Sequence, residues 1–237
     1  ETGVCPSRRE ARSERNRFSS DRPTLLHMNT TEWRTYLVTA ASRSAGRSTP
    51  EVVAAALDGG VDVVQLRDKG VSDRERYETG LRLRELTAEA GVPLLVNDRI
   101  DLAAAIDADG VHLGQTDLPV SVARERLGQS AVVGVSASTV EQAREAEAAG
   151  ADYLGVGAVY GTDSKDVSGD RDGIGTERIA AVADAVDLPV IGIGGVDANN
   201  AAPVVEAGAT GVAALSAITA ASDPAAATEA LRAAVAE

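Results

Sequence analysis

The fold is decided by the stretch Pro189-Val-Ile-Gly-Ile-Gly-Gly195, an apolar run that ends in closely spaced glycines. It is the seventh of eight short apolar runs in the chain. In a (β/α)8 barrel the loops after strands seven and eight often bind phosphate, and glycines let backbone N–H groups approach such an anion. An open doubly wound sheet is the alternative, but no run is followed by a Gly-x-Gly-x-x-Gly loop that opens a helix. The pattern therefore predicts an α/β protein with a (β/α)8 TIM barrel.

The other apolar runs repeat at the spacing of β-α units. Near-continuous apolar runs are typical of parallel strands that are buried on both faces. Helical segments separate them, with capping boxes predicted at Ser72–Glu75 and Ser138–Glu141. The predicted strands are Thr35–Thr39, Val61–Leu66, Pro93–Val96, Gly110–Leu113, Ala131–Ser136, Tyr153–Val156, Pro189–Ile193 and Gly211–Leu215. Eight such units in roughly 200 residues predict one catalytic barrel domain over residues 34–237.

The first residues differ from the rest of the chain. Residues 1–27 contain six arginines and four acidic residues but little apolar periodicity, which is typical of disorder. We therefore predict that residues 1–33 are a disordered or non-native extension. Met28 is the only methionine, and we expect it to be the natural start or the start of the folded domain. A basic tail with a binding role is the alternative.

Composition restricts the class of protein. The 237 residues are 44% hydrophobic, which is enough for a sizeable core, and the formal net charge of −13 argues against a nucleic-acid partner. The sequence contains no run of about 18 apolar residues, so we predict no membrane partner. Cys5 is the only cysteine, which excludes an intrachain disulfide and a CxxC pair. We predict a cytoplasmic protein that acts on small molecules, and association into a homo-oligomer is left open.

The rare basic side chains lie where a barrel places its active site. Only two of the 23 basic residues are lysines, Lys69 and Lys165, and His112 is the one histidine of the predicted barrel. All three follow or end predicted strands, and in barrels the carboxyl ends of the strands form the active face. A composition that is poor in lysine makes the two remaining lysines candidates for a chemical role.

Two neighbouring groups of polar residues indicate a pyrophosphate and a metal ion. Gln65, Arg67 and Lys69 alternate after strand two and so point the same way, which suits a polyanion, although a solvated strand end is the alternative. Asp98 follows strand three and Asp117 follows strand four. Two carboxylates beside a pyrophosphate predict one Mg²⁺, whereas a lone Asp117 could instead cap the next helix.

Further polar residues follow the remaining strands. His112 is predicted to have an orienting role, with a hydrogen-bonded core histidine as the alternative, and Ser136 can hydrogen-bond a neutral substrate. The polar loop after strand six resembles an anion-directed lid and contains Thr162, Ser164 and Lys165. The ends of strands seven and eight predict a second anion site, made by Gly194, Gly195, Ser216 and Ala217.

These predicted sites indicate a reaction in which pyrophosphate is the leaving group. One substrate would carry a pyrophosphate held by cations and Mg²⁺, and the other a monophosphate held by backbone amides. No Ser-His-Asp or Cys-His nucleophile is evident in the sequence. An enzyme that mainly positions charge is consistent with that pattern.

The ordered motifs resemble the thiamine-phosphate synthase family from about Tyr36 to the C-terminus. The motifs that carry the resemblance are Gln65-x-Arg67-x-Lys69, Asn97-Asp98, His112-x-x-Gln115-x-Asp117, Gly134-Val-Ser136, Thr162-x-Ser164-Lys165, Gly192-Ile-Gly194-Gly195 and Ser216-Ala-Ile218. The resemblance implies that 4-amino-5-hydroxymethyl-2-methylpyrimidine diphosphate is joined to a thiazole phosphate, giving thiamine phosphate and pyrophosphate. It also implies a dissociative path, in which the thiazole nitrogen attacks a pyrimidine cation.

The resemblance implies a role for each matching residue. Asp98 and Asp117 would bind Mg²⁺, and Ser136 would lie beside the pyrimidine. The residues expected to bind pyrophosphate are Gln65, Arg67, Lys69, Asn97 and Lys165. Those expected near the thiazole phosphate or product phosphate are Thr162, Ser164, Gly194, Gly195, Ser216 and Ala217. Of these sets, Arg67, Lys69, Lys165 and Ser136 are the predicted catalytic residues, and His112 and Gln115 are further predicted substrate contacts.

Two alternatives have the same fold. One is the related thiazole tautomerase branch, whose catalytic histidine lies in the stretch that corresponds to Gly134–Thr139, where this chain has none. The other is a phosphate-binding barrel without catalysis, which would not need Asp98 and Asp117. This chain also departs from the family at Ser164, where threonine is usual, and at Ser138, where histidine is common.

Overall fold

The computed structural model describes residues 29–161 and 173–236, and these form a closed barrel of eight parallel strands in sequence order. The predicted (β/α)8 fold is confirmed. The strands are β1 (Thr35–Val38), β2 (Val63–Leu66), β3 (Leu94–Asn97), β4 (Gly110–Leu113), β5 (Val132–Ala137), β6 (Tyr153–Gly157), β7 (Val190–Ile193) and β8 (Gly211–Ala214). All eight predicted strands are present, with ends that differ from the predicted ones by at most two residues.

Helices follow the strands and cover the outside of the barrel. They are α1 (Thr49–Asp58), α2 (Asp73–Ala90), α3 (Ile100–Ala105), α4 (Val120–Leu127), α5 (Val140–Ala148), α6 (Gly175–Ala183), α7 (Ala202–Glu206), α8 (Ser216–Thr219) and α9 (Pro224–Ala234). Two 3-10 turns lie at Thr30–Glu32 and Ala41–Arg43. In the described part of the chain, no helix has the length and apolarity that crossing a bilayer requires.

Side chains that alternate along each strand form two cores. The outward-facing set packs against the helices, as Leu37, Val64 and Leu154 do. The inward-facing set fills the barrel and includes Tyr36 and Tyr153, with Trp33 packed against both rings. Parallel register keeps directly paired residues on the same side, so the inner set of one strand meets the inner set of the next. This inner layer forms the floor of the site.

One of the two predicted capping boxes is present, and a further one lies at the start of α1. Ser48 and Ser72 each form a capping box, with Glu51 and Glu75 respectively. The capping box predicted at Ser138–Glu141 is wrong. Thr139 caps α5 instead by accepting from Gln142 N, while the Ser138 hydroxyl donates to the Gly157 carbonyl.

The barrel includes residues before the predicted boundary at residue 34. Asn29 caps the turn Thr30–Glu32, and Trp33 is only 5% exposed in the inner core. The described part of the predicted extension, residues 29–33, is thus ordered against the barrel. Residues 1–28, including Met28, lie outside the described residues.

Candidate active site

Two adjoining cavities open at the carboxyl ends of the strands. The smaller, of about 50 Å³, lies in the mouth of the barrel, and the larger, of about 460 Å³, lies beside the ends of β7 and β8. Arg67 lines both of them. The smaller cavity is also lined by Gln65, Asn97, His112 and Ser136, and the larger by Gly194, Gly195, Ser216 and Ala217. The predicted pyrophosphate and monophosphate residues therefore separate into two groups that share one guanidinium.

A lysine and two carboxylates gather on the segments that follow β2, β3 and β4. Lys69 Nζ lies 3.7 Å from Asp98 Oδ2, on the loops that follow β2 and β3. Partial burial raises the pKa of Asp98, and the neighbouring Asp117 carboxyl raises it further by hydrogen bonding and charge repulsion, while Lys69 opposes the shift. The expected convergence of Asp98 and Asp117 is confirmed.

The local backbone explains how the two carboxylates meet. Asp98 lies in the left-handed region, with φ of 63°, immediately after β3, which turns its side chain away from the strand direction. Asp117 Oδ2 accepts from the Gly114 backbone N–H at 2.6 Å. Asp117 is not the N-cap of α4, because Pro119 occupies that position. The two carboxylates could hold a metal ion as a pair, and among the described residues no group of three or more Asp, Glu, His or Cys side chains is placed to do so.

A continuous hydrogen-bonded chain crosses the barrel below the smaller cavity. Gln65 Nε2 donates to Tyr36 OH at 2.6 Å, and Tyr36 OH lies 2.9 Å from Tyr153 OH. Tyr153 OH lies 2.8 Å from His112 Nδ1, and His112 Nε2 lies 2.9 Å from Ser136 Oγ. We call these five side chains the relay. His112 is therefore hydrogen-bonded at each ring nitrogen, as the core-histidine alternative expects, and it also lines the smaller cavity, while its orienting role stays a prediction.

The relay brings a serine and a histidine together, which the sequence analysis did not expect. A Ser–His pair acts as nucleophile and base when a carboxylate holds the second ring nitrogen and stabilises the imidazolium. Here the neutral Tyr153 phenol occupies that position, and burial raises its pKa far above the ordinary value. The arrangement therefore orients Ser136 rather than activating it. Gln115 Nε2 adds to this by donating to the Ser136 carbonyl at 2.7 Å.

Tyr36 and Tyr153 are the site residues that sequence reasoning missed. Each lies on a predicted strand at an inward-facing position, and their rings are 2% and 0% exposed. A buried phenol almost always hydrogen-bonds to a partner. The chain has only four tyrosines, and the inward-facing positions of two of them were the sequence signal that could have identified these site residues.

The larger cavity is shaped by glycines at the end of β7. Gly194 and Gly195 have φ of 103° and 67°, a region that other residues rarely adopt. A Cβ on Gly194 would lie 2.5 Å from Ala158 Cβ, and one on Gly195 would lie 2.8 Å from Tyr160 Cβ. The backbone therefore passes close to the β6 loop and leaves its amides unshielded by side chains. Thr162, Ser164 and Lys165, and with them the predicted lid, lie outside the described residues.

Comparison with protein families matches residues 35–218 to a family described as thiamine monophosphate synthase. The chain belongs to this family. A thiamine-phosphate synthase from Natronomonas pharaonis is 67% identical over 206 residues, which cover 87% of this chain and 96% of that protein. One from Haloarcula marismortui is 64% identical over 205 residues, covering 86% and 97%. The thiamine-phosphate synthase family is one of transferases in thiamine biosynthesis, and this chain is accordingly an enzyme.

A solved structure of the same family shows the same fold. The thiamine phosphate pyrophosphorylase from Pyrococcus furiosus superposes with a TM-score of 0.79 at 40% sequence identity. The alignment covers 87% of this chain and 97% of that one. The thiamine-phosphate synthase family resemblance drawn from the ordered motifs is thereby confirmed.

Proposed function

We propose that this enzyme joins 4-amino-5-hydroxymethyl-2-methylpyrimidine diphosphate to a thiazole phosphate and releases thiamine phosphate and pyrophosphate. The observation that carries the proposal is the pair of adjoining cavities that share Arg67. The smaller cavity is lined by Arg67 and Asn97, and the segments that follow β2, β3 and β4 carry Lys69, Asp98 and Asp117, as a pyrophosphate with a metal requires. The other is lined by glycine backbone, as a monophosphate requires.

The leaving pyrophosphate would be bound at the mouth of the smaller cavity. Arg67 offers a guanidinium suited to bidentate contact with phosphate, and Lys69 adds a second cation. Asn97, at the end of β3, contributes an amide to the same lining. Lys165 is proposed as a third cation on the grounds of its motif alone. Gln65 fits this role less well, because it is 4% exposed and its amide nitrogen donates to Tyr36. We therefore assign Gln65 to the floor beside the pyrimidine.

Asp98 and Asp117 fit a magnesium ion. Mg²⁺ is commonly held by one or two carboxylates together with phosphate oxygens, so a pair without a third protein ligand suits it. Partial burial raises the pKa of Asp98, the neighbouring Asp117 carboxyl raises it further, and a divalent cation would relieve the repulsion between the two carboxylates. When bound, Mg²⁺ would neutralise charge on the pyrophosphate. Lys69, 3.7 Å from Asp98, would keep the carboxylate oriented toward that group.

The bond changes of the proposed reaction need no protein nucleophile. The bond between the pyrimidine methylene carbon and the pyrophosphate oxygen breaks, and the pyrophosphate leaves with the electron pair. The resulting pyrimidine cation is attacked by the lone pair of the thiazole nitrogen, which forms the new C–N bond. Arg67 and Lys69 stabilise the developing negative charge, and the second cavity holds the thiazole in line.

Product analysis tests the proposal. The purified chain is incubated with the pyrimidine diphosphate, the thiazole phosphate and Mg²⁺, and thiamine phosphate is measured by mass spectrometry. We expect product only when both substrates are present. A folded chain that alters the thiazole without joining it to the pyrimidine would indicate the tautomerase alternative. One that binds both substrates and changes neither would indicate a non-catalytic binder.

A further inference from the structure

The relay contains four consecutive hydrogen bonds, and in each of them one of the two partners must supply the hydrogen. Gln65 donates to Tyr36 from its amide nitrogen, so the Tyr36 oxygen is an acceptor at that contact. The Tyr36 hydrogen is then available for Tyr153, at 2.9 Å, and the Tyr153 hydrogen for His112 Nδ1, at 2.8 Å. A neutral imidazole that accepts at Nδ1 carries its proton on Nε2. In that tautomer, His112 donates from Nε2 to Ser136 Oγ, which lies 2.9 Å away.

We propose that Tyr153 is a positioning residue that holds His112 as the neutral tautomer protonated at Nε2, so that the Ser136 hydroxyl donates its own hydrogen to the substrate. Ser136 Oγ accepts from His112 and is left with one O–H to offer the smaller cavity. The last step rests on the proposed function, since a pyrimidine ring nitrogen is the acceptor that this hydroxyl would meet. The tautomer itself does not depend on which substrate binds.

Burial makes the direction of the relay a stable property of the fold. Tyr36, Tyr153 and Gln65 are all less than 5% exposed, so little of their polar surface is open to solvent. In such surroundings an unpaired donor or acceptor costs far more than it would in water. Burial also raises the pKa of both phenols, which keeps one hydrogen on each oxygen.

Two glycines make the space that the relay needs. Gly134 is paired with Tyr153 across β5 and β6, and a Cβ on Gly134 would collide with the Tyr153 ring. A Cβ on Gly155 would lie 2.8 Å from His112 Cε1. The two rings thus lie over the bare backbone of neighbouring strands. Larger side chains in place of Gly134 and Gly155 would exclude the two rings.

Nitrogen NMR of the substrate-free enzyme tests the tautomer directly. The chain has two histidines, His27 and His112, so ¹⁵N-histidine labelling gives two rings, and a His27→Asn variant assigns them. Near neutral pH we expect His112 to carry hydrogen at Nε2 and a bare Nδ1. A ring protonated at Nδ1, or at both nitrogens, overturns the proposal, because the relay would then run in the opposite direction or be broken.

Two matched tyrosine variants separate positioning from packing. Tyr153→Phe removes the donor to Nδ1, and we expect His112 to populate both tautomers. Tyr36→Phe leaves that donor in place, and we expect the wild-type tautomer. If Tyr153→Phe folds and His112 is unchanged, Tyr153 does not hold it. If the variant fails to fold, the wild-type spectrum alone still decides the direction of the relay.

Kinetics give a second readout. We expect Tyr153→Phe to lower kcat/KM for the pyrimidine diphosphate about tenfold, the effect of losing one oriented hydrogen bond. KM for the thiazole phosphate should not change, since Tyr153 does not line the larger cavity. Tyr77→Phe, at an exposed position on α2, is the control and should match wild type. Equal kinetics in Tyr153→Phe and Tyr77→Phe would contradict the positioning role. A wild type with the expected tautomer but no turnover would refute the proposed function and leave the tautomer assignment intact.

Discussion

Lys69 and Asp98 lie 3.7 Å apart, although they follow different strands and are both partly open to solvent. An ion pair this exposed contributes little to folding stability. Its position beside Asp117, after the carboxyl ends of the strands, supports the proposed role in binding instead. The lysine partly offsets the repulsion between the two carboxylates.

The Asp98 carboxylate should be required for turnover. We expect Asp98→Asn to lower kcat/KM at least about 100-fold, because it removes half of the charge that the carboxylate pair offers Mg²⁺. Asparagine also tolerates the left-handed backbone at this position, so the fold should be kept. Asp58→Asn, at the exposed end of α1, is the matched control. Initial rates over a Mg²⁺ titration test this, and equal rates in the two variants would remove Asp98 from the metal site.

The same substitution should stabilise the metal-free protein. The pKa of Asp98 is raised in the folded state, so folding disfavours its charged form at neutral pH, and that cost disappears as the pH falls through the raised pKa. Asp98→Asn removes the charge permanently. We therefore expect a higher Tm than wild type at pH 7 in EDTA, with a smaller difference at acidic pH. A lower Tm at pH 7 would show that the carboxylate is stabilising.

Arg67 should matter for both substrates. It lines both cavities, so Arg67→Ala is expected to lower turnover at least about 100-fold through lost stabilisation of the leaving group. We expect Arg82→Ala, an exposed arginine paired with Glu85 on α2, to have no effect. Steady-state kinetics with each substrate varied in turn measure the effect, and near wild-type turnover in Arg67→Ala would refute the assigned role.

The larger cavity should depend on the space at Gly194. Gly194→Ala places a methyl group 2.5 Å from Ala158 Cβ, so we expect a higher KM for the thiazole phosphate and little change for the pyrimidine diphosphate. Gly128→Ala controls for backbone strain, because Gly128 also has positive φ, of 93°, and has no neighbour within 4 Å. Both variants should lose stability, and only Gly194→Ala should lose thiazole affinity. A selective effect on the pyrimidine substrate would mean that the cavities are assigned the wrong way round.

The features that depend on alternation along one strand, or on the order of strands along the chain, could be predicted from the sequence. Alternation along β2 placed Gln65 and Arg67 on the same side, and both line the smaller cavity. Asp98 and Asp117 follow strands that are adjacent in sequence, and in a parallel barrel such strands are also adjacent in space. Their convergence therefore followed once the barrel was predicted.

Contacts that depend on long-range packing could not be predicted from the sequence in the same way. Tyr36 and Tyr153 are 117 residues apart, and their contact depends on the closure of the barrel and on the bare backbone at Gly134. Ser138 and Thr139 are both chemically able to cap α5, and only the structure shows that Thr139 does so. The Ser136–His112 contact also depends on packing, because β4 and β5 must pair in register before the two side chains meet.

Pyrophosphate release tests the central claim most directly. The purified chain is given the pyrimidine diphosphate and Mg²⁺, with and without the thiazole phosphate, over a range of KCl concentrations, and free pyrophosphate is measured. We predict release that depends on the thiazole phosphate and is abolished by EDTA. No release at any salt concentration, from a chain shown to be folded, would contradict the two-cavity synthase mechanism.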